Sequence, residues 1–184
     1  MSTSPLSEIL RTREQEILTS WMRVQYQSTT TRRDLMSDAD LDRQSRVFLR
    51  AFTDAVATST DPDSDAWGRV KAELSRPTDA RARQGFTPRE TAAFVFSLKE
   101  PLFNAIREPH HDSASLAAET WTATKLLDTL GLYTTQVYQR AREDVILRQQ
   151  QEMLELSTPV VTLWHGVLAL PLIGTLDSAR TQVV

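Results

Sequence analysis

The sequence predicts an all-α domain that ends in one long helix and is followed by a short β-hairpin. Apolar residues recur with a period of about 3.6 along most of the first 156 residues, and helix-capping residues precede several of these periodic stretches. The chain contains only five glycines, which is typical of helix-rich proteins with few tight turns. After residue 156 the apolar residues form two short β-rich runs, which indicate strands.

The first two helices start at sequence signals for N-terminal caps. Ser4 and Pro5 form an N-cap and first-turn pair, and the helix after them is predicted to continue to the polar segment 27–33. The run Ser-Asp-Ala-Asp at 37–40 resembles a capping box and places acidic groups at the positive end of the helix dipole. The apolar face of this second helix consists of Leu41, Ser45, Phe48, Leu49, Phe52 and Val56.

A short third helix is predicted to end near Pro77. Its apolar residues are Trp67, Val70 and Leu74. The following segment, 78–85, is polar and is interpreted as a connection between helices. Arg81 and Arg83 lie in this segment, and isolated arginine pairs of this kind are more often solvated than functional.

The clearest helix start is the run Thr-Pro-Arg-Glu at 87–90, with an N-cap, a proline in the first turn and a glutamate at the third position. The apolar face continues to Arg107, so the sequence predicts a helix over 88–107. Pro101 lies inside this helix, where it removes one backbone hydrogen bond and is predicted to bend the helix without breaking it.

A candidate ligand pocket follows from that bend. We expect the tilted helix end to open a gap lined by Phe94, Leu98 and Trp121. Ligand pockets often form in helical cores, although aromatic residues at such positions more often serve packing alone.

The longest helical pattern starts at Ser113, its predicted N-cap, and continues to Leu156. A helix of about 40 residues spans ~60 Å and is much longer than the average globular helix. Its apolar residues extend further than one small domain covers, so we expect it to pair with a second copy and form a homodimer. The predicted boundaries are a helical N-terminal domain over 1–140, a linker helix over 141–156 and the start of another domain over 157–184.

The C-terminal segment contains two strand-like runs, Val160 to Trp164 and Val167 to Leu172, with His165 and Gly166 as the turn between them. A two-stranded hairpin is marginally stable by itself in water. We therefore expect the hairpin to belong to a larger sheet, and we interpret the chain as a helical domain followed by the truncated beginning of a second domain.

The composition argues against several classes of function. The net charge of −3 does not favour nucleic acid as a partner, and the absence of cysteine excludes disulfides and thiolate chemistry. No apolar stretch approaches the length of a membrane span. The sequence has no glycine-rich phosphate loop and no nucleophile–base pattern, so no enzyme is predicted. His110 and His111 stand in a polar loop, where solvated residues are more common than haem or metal ligands, and no metal site is predicted.

Three segments carry a resemblance to a known family. PLIGTLDSARTQ (171–182), preceded by ELSTPVVTLWHGVLAL, resembles the start of the STAS domain in RsbR-type stressosome proteins, the co-antagonists of the RsbT kinase. FSLKEPLF (96–103) and LLDTLGLYTTQVYQRAREDVILRQQQEMLELSTP (126–159) resemble the N-terminal sensor domain and linker helix of the same family.

The resemblance implies a globin-like helical fold and a non-enzymatic, cytoplasmic sensor and scaffold subunit. Such a subunit dimerises through its helical domain, assembles with an RsbS-like STAS protein and holds an RsbT-like kinase until stress releases it. The resemblance also implies phosphorylation in the GTLDSAR segment, at Ser178 by position, with Thr175 as the second candidate. A phosphate there lies beside Asp177, and the like charges would repel a partner. Because most of a STAS fold is missing, we expect this chain alone not to form the full assembly.

Two alternatives belong to other functional classes. The first is a haem-binding gas sensor with the same fold, which the absorption spectrum of the purified protein distinguishes. The second is a helical regulator that binds a small molecule and is unrelated to stressosomes, which co-purification with RsbS-like and RsbT-like proteins distinguishes.

Overall fold

The computed structural model describes residues 4–28, 32, 34–107, 112–156 and 161–169. They are predominantly helical, which confirms the predicted fold class at that level. The helices are α1 (Pro5–Thr12), α2 (Glu14–Gln27), α3 (Asp38–Thr58), α4 (Gly68–Gln84), α5 (Pro88–Phe96), α6 (Lys99–Ile106) and α7 (Ser113–Leu156), and a 3₁₀ turn (Asp65–Trp67) precedes α4. The strands are β1 (Val161–Trp164) and β2 (Val167–Ala169). Within these ranges, no helix is both long and apolar enough to cross a membrane.

The chain divides into two units, the first up to Arg142 and the second from Glu143. The core of the first unit contains a series of aromatic rings. The ring of Trp21 lies 5.7 Å from that of Phe48 and 5.1 Å from that of Phe94, measured between centroids. Phe52 contacts Trp67 edge-on at 5.5 Å. Tilted and edge-on pairs of this kind contribute about 0.5–1.5 kcal/mol each beyond their buried area, so the rings join α2, α3, α5 and the 3₁₀ turn.

The predicted first helix is divided into α1 and α2 at Arg13. The backbone of Arg13 has φ −115° and ψ 18°, away from α-helical values. Its Nη1 donates to the carbonyl of Ala105 in α6 at 2.8 Å, and its other nitrogens bind Glu16. Leu10 and Ile17 are buried on the two sides of the break, so the apolar pattern continues across it and gives no sign of it.

Helix α4 continues well beyond the predicted end near Pro77. It runs to Gln84, so the predicted connection over 78–85 is wrong. The proline removes one N–H donor and crowds the turn before it, which is costly but does not require the helix to end. Thr78 and Ala82, which follow it, are both buried, and their packing favours continuation of the helix.

Two local motifs separate α4 from α5. Gly85 adopts φ +91°, which glycine reaches without strain, and the N–H of Phe86 donates to the carbonyl of Arg81 at 3.1 Å, as in a Schellman cap. The predicted start of α5 is confirmed. The hydroxyl of Thr87 accepts from the Glu90 N–H at 3.2 Å, and the Glu90 carboxylate accepts from the Thr87 N–H at 2.7 Å.

The predicted helix over 88–107 is divided into α5 and α6 at Ser97 and Leu98, so the expectation of a bend without a break is wrong. Pro101 is the third residue of α6, and its ring removes the donor that would bind the Ser97 carbonyl. Between the two helices, the N–H of Leu98 donates to the carbonyl of Val95 at 3.1 Å. This bond spans three residues, as in a 3₁₀ turn.

Helix α7 has 44 residues and the predicted bounds. Its N-cap is Asp112, not the predicted Ser113, because Oδ1 of Asp112 accepts from the N–H groups of Ala114 and Ser115, each at 2.9 Å. A carboxylate at this position also interacts favourably with the positive end of the helix. The buried face of α7 consists of Ala123, Leu126, Leu127, Leu130, Thr134, Tyr138 and Ala141.

A two-stranded hairpin follows α7 in the sequence. Strands β1 and β2 are antiparallel, with Val161 opposite Ala169. Gly166 occupies the turn with φ +81°. Val160 and residues 170–172, which were also predicted to be in strands, lie outside the described residues.

Candidate functional site

The candidate site is built around Arg81, a buried arginine near the C-terminal end of α4. Only 5% of its surface is exposed. Leu74, Thr78 and Ala82 recur every four residues along α4 and are all buried, which defines the inward face of the helix. Arg81 follows Thr78 by three residues and therefore lies on the same face.

Only some of the hydrogen-bond donors of the Arg81 guanidinium group have a partner among the residues that the structure describes. Nη2 donates to Oε1 of Gln44 at 2.8 Å, with Sδ of Met36 at 3.7 Å. The rings of Phe94 and Phe86 lie 4.8 and 5.8 Å from the guanidinium carbon, within the range of cation–π attraction. Nε is buried, and it has no hydrogen-bond partner within the described part of the protein. One donor of a buried cation is therefore unused.

Among the described residues, no carboxylate forms an ion pair with Arg81. Burial lowers the pKa of Arg81 to about 10 because the charged form loses its hydration. The side chain nevertheless stays cationic at neutral pH, so the core holds a positive charge with neutral partners.

A small cavity adjoins this guanidinium group. Its enclosed volume is about 20 Å³, which is enough for roughly one water molecule. Its lining comes from α2, α3, α4, α5 and the segments next to these helices, and it is partly open to solvent. The lining residues include Arg32, Met36, Arg81, Phe86, Glu90 and Phe94.

Charged groups at the cavity are already engaged with one another. Arg32 binds both oxygens of Asp34, at 2.8 and 2.6 Å, and its Nη1 lies 3.8 Å from Oε1 of Glu90. The backbone N–H of Thr87 is the main cause of a lowered pKa at the Glu90 carboxyl, and its hydroxyl and Arg32 contribute in the same direction. The hydrogen bond from Arg32 likewise lowers the pKa of Asp34. Glu90 is thus held by its capping box and does not pair with Arg81.

The site is connected to α7 by one buried hydrogen bond. The hydroxyl of Tyr138 donates to the carbonyl of Phe86 at 2.6 Å. Since the Phe86 ring contacts Arg81, a single residue lies between the guanidinium group and α7. A second link joins α4 to α7 further along, where the hydroxyls of Ser75 and Tyr133 lie 2.8 Å apart.

The structure does not bring the three predicted pocket residues together. Phe94 is buried and lines the cavity at Arg81. Leu98 is fully buried but is not part of that lining. Trp121 is 72% exposed, because the inward positions of its turn are occupied by Ala123 and Leu126.

Several other residues considered from the sequence lie outside the described residues: Ser178, Thr175, His110 and His111. His165 lies in the hairpin turn, as predicted. Across the described ranges, no group of three or more histidine, aspartate or glutamate side chains is arranged to hold a metal ion.

Sequence reasoning missed Arg81 because it assigned the segment after Pro77 to a solvated connection. One signal was present. Two arginines followed by a glycine, as at Arg81, Arg83 and Gly85, are typical of the last turn of a helix. That signal indicates that α4 continues, but it does not indicate which arginine is buried.

Comparison with protein-family models matches residues 15–153 to the family described as RsbT co-antagonist protein rsbRD N-terminal domain. The match begins in α2 and ends in α7, so it includes Arg81 and the cavity. A search of the curated proteins finds no match.

Proposed function

The chain belongs to the family of RsbT co-antagonist rsbRD N-terminal domains, and we propose that it is the stress-sensing and scaffold subunit of a stressosome. The observation that carries this proposal is the family match over 15–153. The family is regulatory and non-catalytic, which agrees with the absence of a predicted enzyme motif. The role also places the protein in the cytoplasm, together with its partners.

In this proposal each segment has a separate task. Residues 1–140 form a globin-like sensor domain, residues 141–156 form a linker helix, and residues 157–184 begin a STAS domain. The continuous helix α7 supports a mechanical connection, because it extends from the buried core of the first unit into the second. The antiparallel pair β1–β2 supports a sheet that begins directly after the linker.

The kinase-binding function belongs to the complete STAS domain. In the proposal this domain assembles with an RsbS-like protein and holds an RsbT-like kinase until stress releases it. Phosphorylation of Ser178, or alternatively Thr175, weakens the assembly because the phosphate adds negative charge beside Asp177.

Exposed apolar residues on α7 support a homodimer. Within the first unit, Trp121 and Leu132 are 72% and 65% exposed. They are eleven residues apart and therefore lie only about 20° apart around the helix axis. A second copy that covers these side chains would remove apolar surface from water, which is the usual driving force for helix pairing.

The alternative of a haem-bound sensor on the same fold has a direct test. Purified protein reconstituted with haem would show a Soret band in its absorption spectrum that persists after gel filtration. Loss of the band on gel filtration, in protein whose circular dichroism is helical, rejects this alternative.

Co-expression tests the stressosome role. The protein from the full reading frame is produced together with RsbS-like and RsbT-like proteins of the same organism. We expect one large assembly that contains all three proteins and that releases the kinase after incubation with ATP. The Ser178→Ala variant should assemble equally well but release less kinase. If neither partner co-purifies with the folded protein, the proposed function is wrong.

A further inference from the structure

Arg81, whose Nε–H donor is unused, lines a small cavity that is partly open to solvent. The Nε–H group is buried without an acceptor among the described residues, and the residue lines a partly open cavity with an enclosed volume of about 20 Å³. Buried polar groups in folded proteins nearly always have a partner, and each exception requires an explanation. The explanation here is an acceptor that occupies the cavity.

A water molecule would provide the missing hydrogen-bond acceptor but not the missing negative charge. It accepts the Nε–H hydrogen bond, but it leaves the positive charge without compensation in surroundings made of Phe94, Phe86 and Met36. The aromatic rings and the hydrogen bond to Gln44 offset only part of the cost of this buried charge, and a nearby opposite charge offsets more of it. An anionic oxygen provides both the hydrogen bond and the charge, and hydrogen bonds between ions are about twice as strong as neutral ones.

We propose that the cavity at Arg81 is a binding site for a small organic carboxylate, whose negative oxygen accepts the hydrogen bond from Nε. The enclosed volume admits a group about as large as one water molecule, so the carboxylate oxygen enters and the rest of the ligand remains toward the open side. The planar guanidinium group is better suited to a carboxylate than to a spherical ion.

Glu90 is the acidic residue that such a ligand meets at the cavity, and its charge is already compensated. Its carboxylate accepts from the N–H and the hydroxyl of Thr87, at 2.7 and 3.0 Å, and lies 3.8 Å from Arg32. Repulsion between Glu90 and the ligand is therefore reduced. The site does not depend on the stressosome role, because binding to the isolated chain is measured without any partner protein.

Formate and acetate are the probes for this site. The melting temperature of the 184-residue chain is measured against increasing formate, acetate or chloride at constant ionic strength. We expect formate or acetate to raise the melting temperature by about 3–6 °C at ten times its dissociation constant, and chloride to have little effect. Arg81→Met should abolish the response, whereas Arg83→Met, an exposed arginine in the same helix, should retain it.

Nuclear magnetic resonance monitors the Nε–H group of Arg81 directly. The Arg81 Nε–H signal is assigned in the wild-type protein, so the measurement does not require a folded variant. We expect this signal to shift in a saturable way with formate, while the Nε–H signal of Arg83 stays in place. An unchanged Arg81 signal, equal effects of formate and chloride, or a formate response that persists in Arg81→Met would each overturn the proposal.

Discussion

A buried guanidinium group that lacks a carboxylate lowers the stability of the fold around it, and within the described residues Arg81 is in this position. The reduction of its pKa to about 10 corresponds to roughly 3 kcal/mol of unfavourable free energy in the charged form. Because the folded pKa is lower than the unfolded one, this cost is complete below pH 10 and decreases as the pH rises through that value. The rings of Phe94 and Phe86 offset part of it.

Replacing Arg81 by methionine should therefore stabilise the protein. In a buffer without carboxylates at pH 7, we expect Arg81→Met to raise the free energy of unfolding by about 1–3 kcal/mol, because an apolar side chain replaces an unpaired buried charge. Urea denaturation measures the change. The control, Arg83→Met, should stay within about 0.5 kcal/mol of the wild type. A loss of more than about 1 kcal/mol in Arg81→Met would contradict this interpretation.

Glu90 gives a pH-dependent prediction. The pKa of its carboxyl is lowered below 4.5, chiefly by the backbone N–H of Thr87, so ionised Glu90 stabilises the fold above pH 4.5. That contribution is lost as the pH falls through the lower folded pKa. Glu90→Gln keeps an acceptor for the capping box but removes the charge, and it should cost about 0.5–1 kcal/mol at pH 7.

Thermal unfolding of the wild type and of Glu90→Gln between pH 3 and pH 7 measures this effect. The two melting temperatures should differ by a constant amount above about pH 5 and converge toward pH 3. Glu14→Gln provides the control, because it changes the same kind of charge in the first turn of α2. A difference for Glu90→Gln that is equally large at pH 3 and pH 7 would show that the charge is not its origin.

At the scale of whole elements, capping interactions within one helical turn could be predicted from the sequence, whereas packing between helices could not. The capping box at Thr87 and Glu90 requires only four neighbouring residues, so its sequence pattern is sufficient. The continuation of α4 through Pro77 depends on the burial of residues such as Thr78 and Ala82. The sequence pattern carries no information about those neighbours, which is why the C-terminal end of α4 and its site residue were missed.

The contact between α5 and α7 leads to a prediction about Gly131. A Cβ atom at this position would overlap with Cζ of Phe96, because the ring packs directly on the glycine. Phe96 is 38% exposed and has room to move outward. We expect Gly131→Ala to lower the free energy of unfolding by about 1 kcal/mol, because the cost of overpacking exceeds the gain of about 1 kcal/mol in helix propensity.

A double-mutant cycle with Phe96→Ala tests the origin of this effect. Once the ring is removed, the same Gly131→Ala substitution should stabilise the protein by up to about 1 kcal/mol, since only the helix propensity remains. The coupling between the two positions is then at least about 1 kcal/mol, measured by urea denaturation of the four proteins. Additive effects would show that Phe96 does not restrict the space at Gly131.

At the scale of the whole molecule, the helical class and the family could be recognised from the sequence, whereas the binding site could not. The family match covers residues 15–153, which agrees with the resemblance of segments 96–103 and 126–153 to the sensor domain and linker helix. The cavity depends on contributions from α2, α4 and α5 that lie far apart in the chain. Such a site exists only after the helices pack, so a single sequence gives its residues no common pattern.

The homodimer is the prediction that concerns the entire molecule. If the exposed side of α7 in the first unit is the interface, Leu132→Glu places a charge in it, and two-fold symmetry places a second one in the partner. We expect the dissociation constant to rise at least about 100-fold, because two unpaired charges would be buried. Light scattering during gel filtration distinguishes one chain of 20.8 kDa from two.

The control for this experiment is Gln15→Glu, which adds the same charge at an exposed position in the first turn of α2, where an acidic group is tolerated. This variant should remain dimeric, and Trp121→Glu should dissociate as Leu132→Glu does, because the two residues lie on the same side of α7. A wild-type protein that is monomeric at 100 µM would contradict the proposed dimer. Dimers that persist in both α7 variants would place the interface elsewhere, since neither charge could then be buried in it.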